Sequence, residues 1–281
     1  MKAYTLLTAG LLLGGAAMAQ QNQSNLKQAG SDNKAAVEQI GAQNQSLLVQ
    51  DDDDNTSLVN QTGSANSSEI QLQGPGTSVD VTQIGDRNLS ASLITEANNV
   101  ASVTQEGNGN AARQEIDAPD GEATIFVEGD ANTTVQTVAG VGNNVVQIAV
   151  AGSDNTVTQD IDGENSRSYI TVSGSNSTAI TEQAGTSNNI GLLQEMGNGN
   201  TAVVAQTGDN NFAGGEGDPQ LTQQGSDNTL ALRQDGDMNA ASILQVGNGN
   251  EALNAQVGAE NNSVIQQHGN NNHASVSQRP Q

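Results

Sequence analysis

The chain contains no cysteine and no tryptophan, only two tyrosines and two phenylalanines, and just eight Lys and Arg against 31 Asp and Glu. Without cysteine, no disulfide framework can hold it together. With a net charge of −23 and no clustered bases it is unsuited to nucleic acid, whose phosphates demand Lys and Arg. Without aromatic bulk it lacks the usual filling of a globular core, although 281 residues would be enough to build one. Beyond Gln20 no apolar run reaches the length needed to span a bilayer. On composition alone, the chain reads as a disordered or prion-like polar tract.

The start of the chain is different. Lys2 supplies a positive charge, Leu6, Leu7, Leu11, Leu12 and Leu13 an apolar stretch, and Ala17-Met18-Ala19 a small-residue cleavage site. Residues 1–19 are therefore expected to be a secretory signal peptide, with the mature chain starting at Gln20 and running to 281 as one repeat domain.

What the chain does have is a period. Gln-x-Gly-x-x-Asn recurs every eleven residues, most clearly at Gln223, Gln234, Gln245, Gln256 and Gln267, with Gln278 in phase. A short fixed period marks a repeat architecture. Two structures can carry it: a right-handed helical supercoil, or a strand followed by a turn. Asn33, Ala35, Val37 and Gln39 decide between them. On a helix they would sit about 200° apart in succession and share no face. On a strand they all point the same way. A glycine in every repeat would also cost a helix about 1 kcal/mol each time.

The alternation Asn, small, aliphatic, Gln returns at Asn44/Ser46/Leu48/Gln50, Asn55/Ser57/Val59/Gln61, Asn99/Ala101/Val103/Gln105 and Asn239/Ala241/Ile243/Gln245. None of the acids and bases of the repeats falls on this face: Glu38, Glu69, Asp80, Glu182 and Glu251, for example, lie opposite or in turns. An unpaired buried charge is very costly, so the face free of charge is the inner one. The predicted fold is all-β: a β-solenoid of about eleven two-strand rungs built from 11-residue strand-turn half-repeats, with rungs ~4.8 Å apart. One-residue insertions are expected near Gly152 and Gly197, and a Gly- and Pro-rich insertion loop near 212–218.

Inner amides must be hydrogen-bonded, or each costs about 1–3 kcal/mol. Stacking identical residues one rung apart satisfies them, as in cross-β ladders. The expected inner ladder comprises Asn33, Gln39, Asn44, Gln50, Gln61, Gln105, Gln194, Gln206, Gln234, Gln245, Gln256, Gln267 and Gln278. The tight corners fall to Gly30, Gly41, Gly63, Gly85, Gly225, Gly236, Gly247, Gly258 and Gly269, where a positive φ is required.

Catalytic chemistry is not signalled. No His or Lys forms a triad or dyad with the many serines. His268 and His273 lack partner ligands for a metal. Asp51-Asp52-Asp53-Asp54 replaces a turn glycine but lacks the ordered alternation of a calcium loop, so it reads as a solvated acidic turn. No enzyme activity, cofactor or metal is expected.

The repeats resemble those of the curlin family, the subunits of curli, extracellular amyloid fibres of bacterial biofilms. The family repeat is Ser-x5-Gln-x-Gly-x-x-Asn-x-Ala-x3-Gln. Its second half is matched at Asn33-x-Ala35-x3-Gln39, Asn200-x-Ala202-x3-Gln206, Asn250-x-Ala252-x3-Gln256 and Asn272-x-Ala274-x3-Gln278, and its first half best at Ser177-x5-Gln183-x-Gly185-x-x-Asn188. Elsewhere Asn usually stands where the family has Ser. The array is also about twice as long as in the best-known curlins, and the polar, Gly-rich export segment that precedes their repeats is not seen. The resemblance implies a secreted subunit that polymerises with itself on the cell surface, with related curlin subunits and the curli export machinery as further partners. The alternatives are a minor, nucleating subunit of the same fibre, or a monomeric secreted solenoid acting as an adhesin or ligand-binding protein.

Overall fold

The computed structural model describes residues 21–214 and 221–279; the expected signal peptide and most of the expected insertion loop lie outside the described residues. The described residues contain 24 strands and no helix. One sheet holds β1 (Gln23–Gln28), β3 (Gln45–Gln50), β5 (Ser67–Leu72), β7 (Leu89–Ile94), β9 (Ala111–Asp117), β11 (Thr133–Val141), β13 (Thr156–Glu164), β15 (Thr178–Thr186), β17 (Thr201–Thr207), β20 (Thr229–Asp235), β22 (Glu251–Val257) and β24 (His273–Gln278), paired in that order. The other holds β2 (Lys34–Ala42), β4 (Thr56–Ser64), β6 (Ser78–Ile84), β8 (Val100–Glu106), β10 (Glu122–Glu128), β12 (Val145–Ala151), β14 (Arg167–Ser175), β16 (Asn189–Asn198), β18 (Phe212–Ala213), β19 (Leu221–Gln224), β21 (Ala240–Val246) and β23 (Asn262–His268). Every pairing is parallel, as it must be when each strand stacks on the equivalent strand one rung away. The chain is thus a β-solenoid of about eleven rungs.

One rung is two half-repeats, so that Gln39 lies opposite Gln61 and Gln61 opposite Gln83. Three interruptions are absorbed without loss of phase. The first single insertion lies in the turn from Gly140 to Asn144, not near Gly152; there Gly142 takes a φ of 80° and its carbonyl accepts the Asn144 N–H. The second is a bulge in β16 before Gly197, where Val172 faces Gln194 but Gly174 faces Gly197. The large insertion begins later than Phe212. Phe212 and Ala213 stay in the wall as β18, opposite Asn189 and Ile190 on one side and Ala240 and Ala241 on the other. The wall resumes at Leu221, opposite Leu192. Ala213 is buried and apolar, which keeps it in the core and moves the exit to Gly214.

The core is the space between the two sheets. It is filled by the alternating inward residues, among them Leu48, Val59, Ile70, Val103, Ile125, Ile148, Ile170, Leu192, Leu232 and Ile243. Among the described residues no Asp, Glu, Lys or Arg is buried, whereas Asn, Gln, Ser and Thr are buried in every region of the stack. Burying charge in a dry interior costs far more than burying an amide that can be paired, and the strand phase honours that difference throughout.

Candidate functional site: the stacked ladders and the end rungs

In the second sheet, the Gln39 side-chain N–H donates to Gln61 Oε1 at 2.8 Å, Gln61 to Gln83 at 2.8 Å and Gln83 to Gln105 at 2.9 Å. A separate run in the same sheet goes from Gln194 to Gln223, Gln245 and Gln267. In the first sheet, Gln28 donates to Gln50, and a longer run links Gln183, Gln206, Gln234, Gln256 and Gln278 at 2.7–3.0 Å. In most rungs the second Nε2 hydrogen crosses to a backbone carbonyl of the facing sheet, as Gln61 does to Gln45 and Gln245 to Thr229, both at 2.9 Å. Each such glutamine therefore fastens rung to rung and sheet to sheet.

The inner asparagines clamp the corners. Asn44 Oδ1 accepts the backbone N–H of Asn66 at 3.0 Å, and Asn44 Nδ2 donates to the carbonyl of Gly63 at 2.9 Å. Asn33 does the same to the N–H of Asn55 and the carbonyl of Asp52. Gly30, Gly41, Gly63, Gly85, Gly225, Gly236, Gly247, Gly258 and Gly269 all take φ between 98° and 119°. At Gly41 the requirement is double: a Cβ there would lie 2.0 Å from the carbonyl oxygen of Gly63 in the next rung.

Three features were not read from the sequence. A further glutamine ladder, Gln114 to Gln136 to Gln159, runs one inner position earlier in β9, β11 and β13, where aliphatics hold the usual place. The displaced Gln in these strands was its signal. A second ladder runs along the outside of the corners, at the residue after the turn glycine. Asp86 Oδ1 accepts the Ser64 N–H at 2.7 Å, Asn108 Oδ1 that of Asp86 at 2.9 Å, and Asp130 Oδ1 that of Asn108 at 2.7 Å. The recurrence of Asp, Asn or Ser after Gly would have revealed it. Asp53 belongs to this set: its carboxylate accepts the Ser31 N–H at 2.7 Å, and Asp52 takes the glycine-like φ of 84°. Third, the residue before nearly every inner corner Asn is left-handed, even where it is Ala65, Arg87 or Met238; at the longer turn before Asn144 the left-handed residue is Gly142 instead.

All the glutamine ladders have one polarity: the donor lies in the rung nearer the N-terminus. The first member of each run therefore has an oxygen with no donor behind it. Gln114, Gln183 and Gln194 follow Ser92, Ile161 and Val172 in register, and the Oε1 of each is buried without a partner. The rule also fixes the ends. Gln28 and Gln39 present acceptors at one end of the described stack, and Gln267 and Gln278 present donors at the other. There the interior itself opens: Leu26, Ala35, Val37, Ala274 and Val276 are only partly buried, whereas their equivalents in the middle are fully covered.

The outer face is sparsely paired. Lys27–Asp51, Arg113–Glu115 and Arg233–Asp235 are its Lys and Arg ion pairs among the described residues, and His273 Nδ1 lies in hydrogen-bond contact with Glu251 at 2.9 Å. Asp160 is exposed, but partial desolvation of its carboxyl, and then the neighbouring Asp162, push that carboxyl above the ordinary Asp value. His268 is exposed, and no group of three or more His, Asp or Glu placed to hold a metal occurs among the described residues.

Residues 221–253 match the family model of the curlin associated repeat, in agreement with the resemblance carried by the Gln-x-Gly-x-x-Asn units. The matched stretch runs from β19 into the start of β22 and includes Gln223, Gln234 and Gln245 of the two ladders with the corner residues Asn228, Asn239 and Asn250. No curated protein matches the chain. The repeat and the solenoid together point to a structural protein rather than to an enzyme.

Proposed function

We propose that the chain is a secreted structural subunit that assembles end to end into extracellular curli-type amyloid fibres, serving as matrix and adhesive. The observation that carries this reading is the state of the end rungs. Exposed strand edges pair with whatever strand is offered. Here the two outermost rungs of the described stack offer open backbone, half-covered Leu26, Val37 and Val276, and amide ladders that stop in mid-sequence. The strands that would satisfy them are further rungs of the same kind, and another copy of the chain supplies them.

The chemistry is that of noncovalent growth. Each docking event adds strand pairs at the usual ~4.8 Å spacing, extends the amide ladders and closes the apolar interior. Most of the acids lie outside or in turns, so a stack of subunits keeps its charge in water. The test is to incubate the purified chain starting at Gln20 and follow it by electron microscopy and fibre diffraction. The expected result is unbranched fibres with a meridional reflection near ~4.8 Å. A chain that stays monomeric by sedimentation at high concentration, with its solenoid intact, overturns the proposal.

A further inference from the structure

We infer that successive subunits in the fibre are related by a half-turn about the fibre axis, because the described residues of each chain form an odd number of half-rungs. This rests on the end-to-end reading above. With β18 and β19 counted as one interrupted strand, the 24 strands make 23 half-rungs, twelve in the first sheet and eleven in the second. The described stack therefore begins and ends in the same sheet, with β1 and β24.

Stack a second copy in the same orientation and its β1 lands on β24. In the other sheet β23 then faces β2 of the next copy across an empty level, about twice the ~4.8 Å strand spacing. Both of those strands lose a partner. Turn the second copy by half a revolution and the level fills. Its β1 pairs with β23 and its β2 with β24, which is the relation each half-repeat already has to the next inside the chain.

The inner side chains fit the turned joint. β23 presents Asn261, Ser263, Ile265 and Gln267, and β1 presents Asn22, Ser24, Leu26 and Gln28. β24 presents Asn272, Ala274, Val276 and Gln278, and β2 presents Asn33, Ala35, Val37 and Gln39. Asn meets Asn, Ser meets Ser, Ala meets Ala, and Gln meets Gln, while the remaining inner position pairs aliphatic with aliphatic. The ladder polarity fits as well: donors of Gln267 and Gln278 face acceptors of Gln28 and Gln39, whereas joining two like ends would set donor against donor or acceptor against acceptor.

Net negative charge is kept away from these faces. Of the 31 acids, 29 lie between residues 43 and 260; residues 261–281 have none, and residues 21–42 balance Asp32 and Glu38 with Lys27 and Lys34. Repulsion between subunits is thereby kept away from the contact, where exposed charges within ~10 Å would act on one another.

The absence of native cysteine gives a clean test. The turned joint sets Val264 opposite Asn25 of the next copy, at the ~4.8 Å spacing that a disulfide can bridge. The unturned joint sets Ser275 opposite that Asn25; in the turned joint those two lie on different sheets, at least ~10 Å apart. All three residues are exposed on the outer face. Two full-length mature variants, N25C/V264C and N25C/S275C, are assembled, oxidised and run on denaturing gels without reductant. The expected result is a ladder of covalent dimers, trimers and longer species from N25C/V264C, and monomer alone from N25C/S275C. The reverse pattern, or cross-linking by neither in fibres that give cross-β diffraction, overturns the half-turn while the fibre reading stands. Failure of the cysteine variants and of the unmodified chain alike to form fibres removes the fibre reading itself, and the joint with it.

Discussion

Replacing Gln206 with leucine should destabilise the solenoid far more than the same change at Gln183, although both are buried members of one ladder. Gln206 sits inside the run: it accepts from Gln183 at 3.0 Å and donates to Gln234 at 2.7 Å. With leucine there, a Gln183 N–H loses its acceptor and Gln234 Oε1 loses its donor, leaving two new orphans in a dry interior. Gln183 is the first member, and its own Oε1 is already orphaned. Leucine at 183 removes that orphan and passes an equivalent one to Gln206, so the number of orphans does not change. The remaining terms cancel, because each glutamine also donates to a facing carbonyl at 3.1 Å, Arg167 for one and Asn189 for the other. Two orphans at about 1–3 kcal/mol each make Q206L the costlier change by about 2–6 kcal/mol. The readout is the denaturant midpoint of freshly refolded monomer, together with amide exchange across β15, β17 and β20. Equal losses, or a larger loss for Q183L, would refute the idea that ladder position rather than burial sets the cost.

The corner glycines should divide by what lies above them. G85A would put a Cβ 2.0 Å from the Gly107 carbonyl oxygen at a φ of 113°, and overpacking with backbone strain predicts a loss of about 2–6 kcal/mol. G109A, at a φ of 67° with nothing within 4 Å, should lose only about 1–2 kcal/mol; the denaturant midpoints of the two variants measure the difference. For Asp160, the folded carboxyl holds its proton more tightly than the unfolded one, because partial desolvation and then Asp162 disfavour its charge. That group's contribution to stability falls as pH rises through the ordinary Asp value toward the raised one. D160N should therefore stabilise the chain at pH 7 and make no difference below the unperturbed Asp value of about 3.9, as read by thermal unfolding at both pH values. The lag before fibre growth should shorten with added salt and at mildly acidic pH, since both weaken repulsion among the outer acids; a lag indifferent to both, followed by dye binding or scattering, would remove charge as the brake.

Much of this structure was legible because the constraint that creates it is written in every repeat. A strand that buries one face must place Asn33, Ala35, Val37 and Gln39 together and Lys34, Ala36 and Glu38 apart, and the same rule read off the chain gives the sheet faces, the corners and the number of rungs. The places where the reading failed are those where local pattern and three-dimensional stacking part company. The residues around Gly140 and those around Gly152 look alike as sequence, and only pairing across rungs shows which turn is longer: the step from Thr133 to its partner Thr156 is one position longer than the step from Val145 to its partner Arg167. Phe212 was read into the insertion because it adjoins the Gly- and Pro-rich stretch; yet its backbone, held between Asn189 and Ala240, pairs as any repeat residue would. The shifted ladder at Gln114, Gln136 and Gln159 escaped notice for the same reason. Taken singly these glutamines are departures from the recipe, and only as a column do they satisfy one another.

The central part of the stack shows what the amides contribute and what they do not. At the ladder position of the first sheet, β5 to β13 carry Leu72, Ile94, Ile116, Val138 and Ile161 in register, and in the second sheet β10 to β14 carry Val127, Val150 and Val172. All are fully buried. Apolar burial at ~25 cal/mol per Å² therefore holds these rungs without a glutamine column at that position. It does so without direction, because an aliphatic column packs equally well on either neighbour. The glutamine columns are directional, and at the usual ladder position they reach every strand at the two ends, while the shifted Gln114–Gln136–Gln159 column carries the same polarity through the middle. In the middle of a covalent chain the backbone already dictates the order of rungs, so the polarity of the Gln114–Gln136–Gln159 column adds pairing there but no order. Polarity matters at an end, where an arriving rung could come from either end of another copy. Placing the donors of Gln267 and Gln278 at one end and the acceptors of Gln28 and Gln39 at the other makes head-to-tail docking the arrangement in which none of these four end amides lacks a ladder partner.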